Sequence, residues 1–166
     1  MAVEYAIDFT LGVLLMTRLV LFFLSAFSVL AYAQDTDEAM IREIARREKL
    51  SFEEVKKDWE EGCSSGNTPS MKRCAYFHYL AEDIELNNTY TALRKKLTTQ
   101  LSKDRLKQAQ RVWLSFREAS CEYEAVGWTG GTGWGVIYLG CKDTLTRERT
   151  QKLKEYLACE GGGCPE

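Results

Sequence analysis

Five side chains, Leu106, Gln110, Trp113, Arg117 and Cys121, fall at spacings of four, three, four and four. On a helix they share one stripe, which then carries an aliphatic group, an aromatic ring, a thiol and two strongly polar groups. An Arg turned inward keeps its charge, and burying it alone costs several kcal/mol, so a carboxylate has to stand opposite. Asp83, one turn before Asn87 on the apolar face of an earlier helix, is the expected partner, with Asn87 and Gln110 completing a hydrogen-bonded layer. Such a layer is either a polar core that fixes helix register or a ligand site, and the core reading is favoured.

Hydrolytic chemistry asks for a nucleophile beside a base, or two carboxylates across a cleft. Neither is legible. His78 is the one histidine and sits between Phe77 and Tyr79, the setting of a partly buried structural residue, while Glu82 and Glu85 read as solvated neighbours of Asp83. No catalytic residue and no cofactor are expected. One His and no Cys-x-x-Cys pair leave zinc without a ligand set, so no metal is expected either. Gly127 to Gly135 holds five glycines and two tryptophans within nine residues. It lacks the preceding strand and the Gly-x-x-x-x-Gly-Lys-Ser/Thr order of a phosphate loop. Trp128, Thr129, Gly130, Gly131, Thr132 and Trp134 are instead the expected partner-binding residues, whose rings either stand out as hot spots or pack back over the helix ends.

Helices must position these groups. Residues 34–61 read as a charged helical arm in two parts, divided by the capping box Ser51-Phe52-Glu53-Glu54. After the turn from Gly62 to Pro69, Thr68 as N-cap and Pro69 open a long helix to about Leu97. Ser102 caps the next helix, which runs to about Ala125. A last one spans Cys141 or Thr144 to Leu157, with Leu145, Arg149 and Leu153 inward. The fold class is therefore all-α, a small disulfide-stabilised bundle of about four helices with a Gly/Trp-rich loop.

Residues 1–33 read as a signal peptide. Leu11 to Leu30 is apolar except for Arg18 and ends in Ala31-Tyr32-Ala33, a small-x-small cleavage site followed by polar sequence. Glu4 and Asp8 make the first ten residues acidic, so Met16 is the better start. The alternative is an uncleaved anchor, since about 20 apolar residues span a bilayer. No Cys at the cleavage point marks a lipoprotein. Beyond the leader, 21 basic residues face 22 acidic ones over 133 residues, enough for one core and no electrostatic case for nucleic acid. All six Cys lie there, a disulfide framework in an oxidising compartment. Neighbour pairing is expected: Cys63 with Cys74, Cys121 with Cys141, and Cys159 with Cys164 closing the tail 159–166.

The residues that carry this argument also carry a likeness. Cys74, the run Glu82 to Leu93, the run Gln110 to Arg117 with Cys121, then Gly130-Gly131-Thr132, Cys141, Leu145-Thr146 and Arg149 resemble the LprI-type lysozyme inhibitor family over about Cys63 to Leu157. Departures are mild: Glu82 for Ala, Phe116 for Tyr, Thr132 for Ser. The resemblance implies an exported helical domain, here 62–158, that binds or inhibits lysozyme. The expected protein is periplasmic or secreted, non-catalytic, without stable membrane insertion after cleavage, and has lysozyme or a related cell-wall hydrolase as partner. An immunity or adaptor protein against a secreted cell-wall toxin is the second reading, and a periplasmic enzyme the third.

Overall fold

The computed structural model describes residues 38–62 and 64–165. The expected leader with its Met16 start, and Cys63 of the expected Cys63–Cys74 bridge, lie outside them. The chain divides into a unit ending at Glu43 and a body from Ile44 to Glu166. In the first unit the described residues, 38–43, are helical, and Arg42 Nη2 donates to Glu38 Oε2 one turn away at 3.2 Å.

Among the described residues the fold is all-α. Helix α1 covers residues 38–48, and Lys49 ends it in the left-handed region at φ 58°. Helix α2 (Phe52–Gly62) starts at the capping box: Glu54 N donates to Ser51 Oγ at 3.2 Å, and Ser51 N donates back to Glu54 Oε2 at 2.9 Å. Two orphan donors are satisfied reciprocally. The long α3 (Thr68–Lys96) is capped by Asn67, not Thr68, its Oδ1 accepting from Ser70 N at 3.0 Å. Asn is at least as good a cap as Thr, and this register leaves Pro69 in the first turn, where its missing N–H costs nothing. Helix α4 (Gln100–Glu124) likewise starts earlier than expected: Thr99 is the cap and Ser102 N the donor, at 3.1 Å. A 3-10 turn (Val126–Trp128) and α5 (Trp134–Ala158) complete the chain. Helix α5 begins one full turn and more before Cys141, through Gly135 and Gly140, because packing overrides the low helix propensity of glycine.

Helix α5 packs along α3, and α4 lies against α5. Leu86, Leu93 and Leu153 form the centre, with Tyr90, Leu106, Trp113, Tyr156 and Leu157 around them. The inner face of α5 is rotated from the expected one: Thr146, Thr150 and Leu153 are buried, and Leu145 and Arg149 only half-buried. The threonines tolerate burial because their hydroxyls are used, Thr150 Oγ1 donating to Thr146 O at 2.8 Å. Glu82 and Glu85 are not merely solvated; they pair across to α5 with Arg147 at 3.1 Å and Lys154 at 2.8 Å. Partly exposed pairs of this kind contribute about 0–1 kcal/mol each. Helix α2 meets α3 through Trp59 against His78, ring centroids 5.1 Å apart, and an Asp58–Arg73 contact of 2.6 Å.

Disulfides join Cys121 to Cys141, tying α4 to α5, and Cys159 to Cys164 in the tail. Lys96 Nζ donates to Leu157 O and Cys159 O, each at 2.8 Å, and so satisfies carbonyls at the end of α5 with a cation. No helix among the described residues is long and apolar enough to cross a membrane.

Candidate functional site

All five residues of the α4 stripe turn inward: Gln110, Arg117 and Cys121 are buried, Leu106 and Trp113 half-buried. The Arg117 side chain is 5% exposed. Its Nη1 donates to Thr146 Oγ1 at 2.9 Å and more distantly to Asp83 Oδ1 at 3.4 Å. Nη2 donates to Glu118 Oε1 at 3.0 Å and Tyr79 Oη at 3.2 Å. The guanidinium lies 5.2 Å from the centroids of both the Tyr79 and Trp113 rings, within cation–π range. Asp83 stands opposite Arg117 as the stripe requires, but it also faces Arg47 at 3.7 Å and accepts from Asn87 Nδ2 at 3.0 Å.

The expected four-residue layer is thus split. Gln110 lies two helical turns from Arg117, about 10 Å along the axis. Its Oε1 accepts from Arg149 Nε at 3.1 Å, and Arg149 sits 5.9 Å from the Trp113 centroid. The closest carboxylate to Arg117 is Glu118, its own neighbour. Adjacent helical residues point apart, so the pair is invisible to periodicity; the long guanidinium stem folds back to make it.

Glu118 links this buried charge to the glycine-rich loop. It takes a short hydrogen bond from Tyr138 Oη and an ion pair with Lys142 Nζ at 3.1 Å. Partial burial works to raise its pKa, but hydrogen bonds from Tyr138, Lys142 and Arg117 outweigh that and hold it below the usual carboxylate value. Tyr138 is pushed up to about 12 by burial and by the Glu118 carboxylate it donates to. Lys142 lies over the Tyr79 ring at 4.5 Å. Tyr138 in turn stacks on Trp134, centroids 4.6 Å apart and planes 14° from parallel. A continuous set of contacts therefore runs Asp83, Arg117, Glu118, Tyr138, Trp134, with the Cys121–Cys141 bridge beside it.

The loop itself is tightly wound. Trp128 N donates to Ala125 O at 2.9 Å, Thr129 Oγ1 to Val126 O at 2.7 Å and Gly131 N to Trp128 O at 3.0 Å. Gly130 adopts φ +79°, a conformation that L side chains rarely take. The Trp128 ring lies over Gly133, where an added Cβ would come within 2.7 Å of it. The two tryptophans differ in role: Trp134 is half-buried in the first turn of α5, while Trp128 keeps 53% of its surface exposed beside Val126 at 61%. Thr129, Gly130, Gly131 and Thr132 are exposed. His78 is exposed too, against the expectation of partial burial, with the Trp59 ring beside it. Among the described residues no three His, Cys, Asp or Glu side chains converge as metal ligands.

The family model of lysozyme inhibitor LprI matches residues 61–153, from the end of α2 into α5. The chain belongs to the LprI family. An uncharacterized protein of Rhizobium meliloti (strain 1021) is 34% identical over 96 residues, which cover 51% of this chain and 69% of that protein. No solved structure matches significantly. The LprI match contains the whole Asp83-to-Trp134 set of contacts and the Cys121–Cys141 bridge, and it ends before the Cys159–Cys164 loop. Within the LprI region, Tyr79, Glu118, Tyr138, Lys142 and Thr146 are the site residues that sequence reasoning missed. Tyr138 and Lys142, one turn apart on a face that also carries Trp134, became legible only with α5 extended to Trp134.

Proposed function

We propose that this LprI-family chain is an exported, non-catalytic protein that inhibits a lysozyme by protein–protein contact, with the Val126–Thr132 loop as the contacting surface and Trp128 as its anchor. The observation that carries this reading is the exposed Trp128 on a loop held by backbone hydrogen bonds and by the disulfide at its base. A pre-ordered loop loses little conformational entropy on association, and an exposed indole is a frequent interface hot spot. Lysozymes cleave glycan with two carboxylates across a cleft, so a loop that covers the cleft stops turnover without chemistry of its own.

In this reading residues 1–33 are a signal peptide removed on export, 34–61 an arm, 62–158 the inhibitory domain and 159–166 a closed tail. The Cys121–Cys141 and Cys159–Cys164 disulfides support an oxidising, periplasmic or extracellular destination. The polar set Asp83, Asn87, Gln110 and Arg117 is structural: it holds α3, α4 and α5 in register beneath the loop. Trp128→Ala tests the surface. Inhibition should weaken at least about tenfold, a loss of 1.4 kcal/mol or more, with helical circular dichroism unchanged. Unchanged inhibition by a folded Trp128→Ala chain rules this surface out.

A further inference from the structure

The end of the bundle away from the glycine-rich loop holds a pocket of about 450 Å³, between the end of α3, the first half of α4 and the last turns of α5. That is the size of a small-molecule site. Its wall is aliphatic: Leu93 and Leu97 are buried, Leu106 is half-buried, and Leu101 stands at the edge, 68% exposed. The charged groups that line it are two arginines, Arg105 from α4 and Arg149 from α5, and no acid does. Arg149 is half-buried, and burial pulls its pKa below the ordinary guanidinium value. Its Nε donates to Gln110 Oε1 at 3.1 Å; among the described residues neither Nη group has a hydrogen-bond partner, and no carboxylate pairs with the guanidinium. Arg105 reaches only Gln108 Oε1, at 3.5 Å. Arg117, the other inward cation, has both Asp83 and Glu118. A half-buried cation that lacks an anion, set in an aliphatic wall, is complementary to an anion that brings an apolar chain with it.

We infer that this pocket binds a fatty carboxylate of medium chain length, its head group forked on Nη1 and Nη2 of Arg149 and its alkyl chain laid along Leu93, Leu97 and Leu101. A carboxylate meets the planar guanidinium with two parallel hydrogen bonds, and Arg105 adds a second cation on the exposed side. The chain has room to continue: Leu93, Leu97, Tyr156 and Pro165 also line an adjoining pocket of about 420 Å³, beside the loop closed by Cys159 and Cys164. The LprI match ends at residue 153, so Tyr156 and Pro165 build this site from outside the matched region. The inference goes beyond the lysozyme reading and does not rest on it. Ala109, the last α4 residue in the pocket, lies about 22 Å along the helix from Glu124, after which the loop begins.

The test is isothermal titration calorimetry of the chain as the cell processes it, disulfides intact, with sodium decanoate below its micelle-forming concentration. One saturable site with a Kd below about 1 mM is expected. Affinity should rise about two- to fourfold for each methylene from hexanoate to decanoate, as burial of the chain requires. 1-Octanol and octylammonium should each bind at least tenfold more weakly than octanoate. Arg149→Gln should weaken decanoate at least tenfold with helical circular dichroism unchanged, Arg149→Lys should weaken it less, and Arg111→Gln, outside the pocket, should change nothing. No saturable binding of decanoate up to about 1 mM by the folded chain overturns the inference. So does 1-octanol bound as tightly as octanoate, a comparison on the unaltered chain that holds even if the Arg149 variants fail to fold. Undiminished decanoate binding by a folded Arg149→Gln chain overturns it as well.

Discussion

Arg117 places a full charge where only 5% of its side chain meets solvent, and the surrounding groups make that tenable. Arg117→Ala removes the partner of Thr146 and Tyr79 and weakens the hold on Asp83 and Glu118, which keep Arg47 and Lys142. The expected loss is about 2–4 kcal/mol, read from urea unfolding. Glu118 gives the pH signature. Its folded pKa lies below its unfolded value, so its contribution is fully present above the ordinary carboxylate pKa and is lost as pH falls through the folded one. Stability should therefore drop below about pH 4.5, and Glu118→Gln should flatten that acid limb. Tyr138 runs the other way: raised to about 12, it stabilises below its unfolded value of 10.0, and that contribution is lost between there and about 12. An acid limb unchanged in Glu118→Gln contradicts the assignment. Arg117 and Asp83 were legible in the sequence because a charge on an apolar stripe demands an opposite charge on another. Glu118 was not, because helical periodicity separates adjacent residues, whereas a guanidinium on a flexible stem reaches back to its neighbour.

At the scale of the element, caps and stripes were readable to within a turn. Asn67 and Thr99 displaced Thr68 and Ser102 as caps because several good cap residues stand close together and local chemistry does not choose between them. The start of α5 was hidden for a different reason: glycine density signals loop, yet Gly135 is buried in a helix held by its packing on α3. That concealed the division between the two tryptophans, which substitution should reveal. Trp134→Ala removes a half-buried ring stacked on Tyr138 and should cost about 2–3 kcal/mol, while Trp128→Ala should cost about 1 kcal/mol or less, both by thermal or urea unfolding. Equal costs contradict the division. Replacing Cys121 and Cys141 together by Ala opens a closure across 20 positions of chain. The chain-entropy model puts that loss at about 3 kcal/mol, and the Val126–Thr132 loop should become protease-sensitive.

For the whole molecule, the all-α class follows from elements that local physics specifies, helical stripes and caps, while membership of the LprI family rests on the match over residues 61–153. Partner choice is a property of a surface, where side chains answer to a molecule outside the chain, and helical stripes and paired cysteines do not specify it. A clearing assay on bacterial cell walls measures that directly. The oxidised chain is titrated against c-type, g-type and i-type lysozymes, with a reduced and alkylated chain as control. The account predicts saturable inhibition of at least one type, lost on reduction and weakened by Trp128→Ala. No inhibition of any type by the folded, oxidised chain would contradict it.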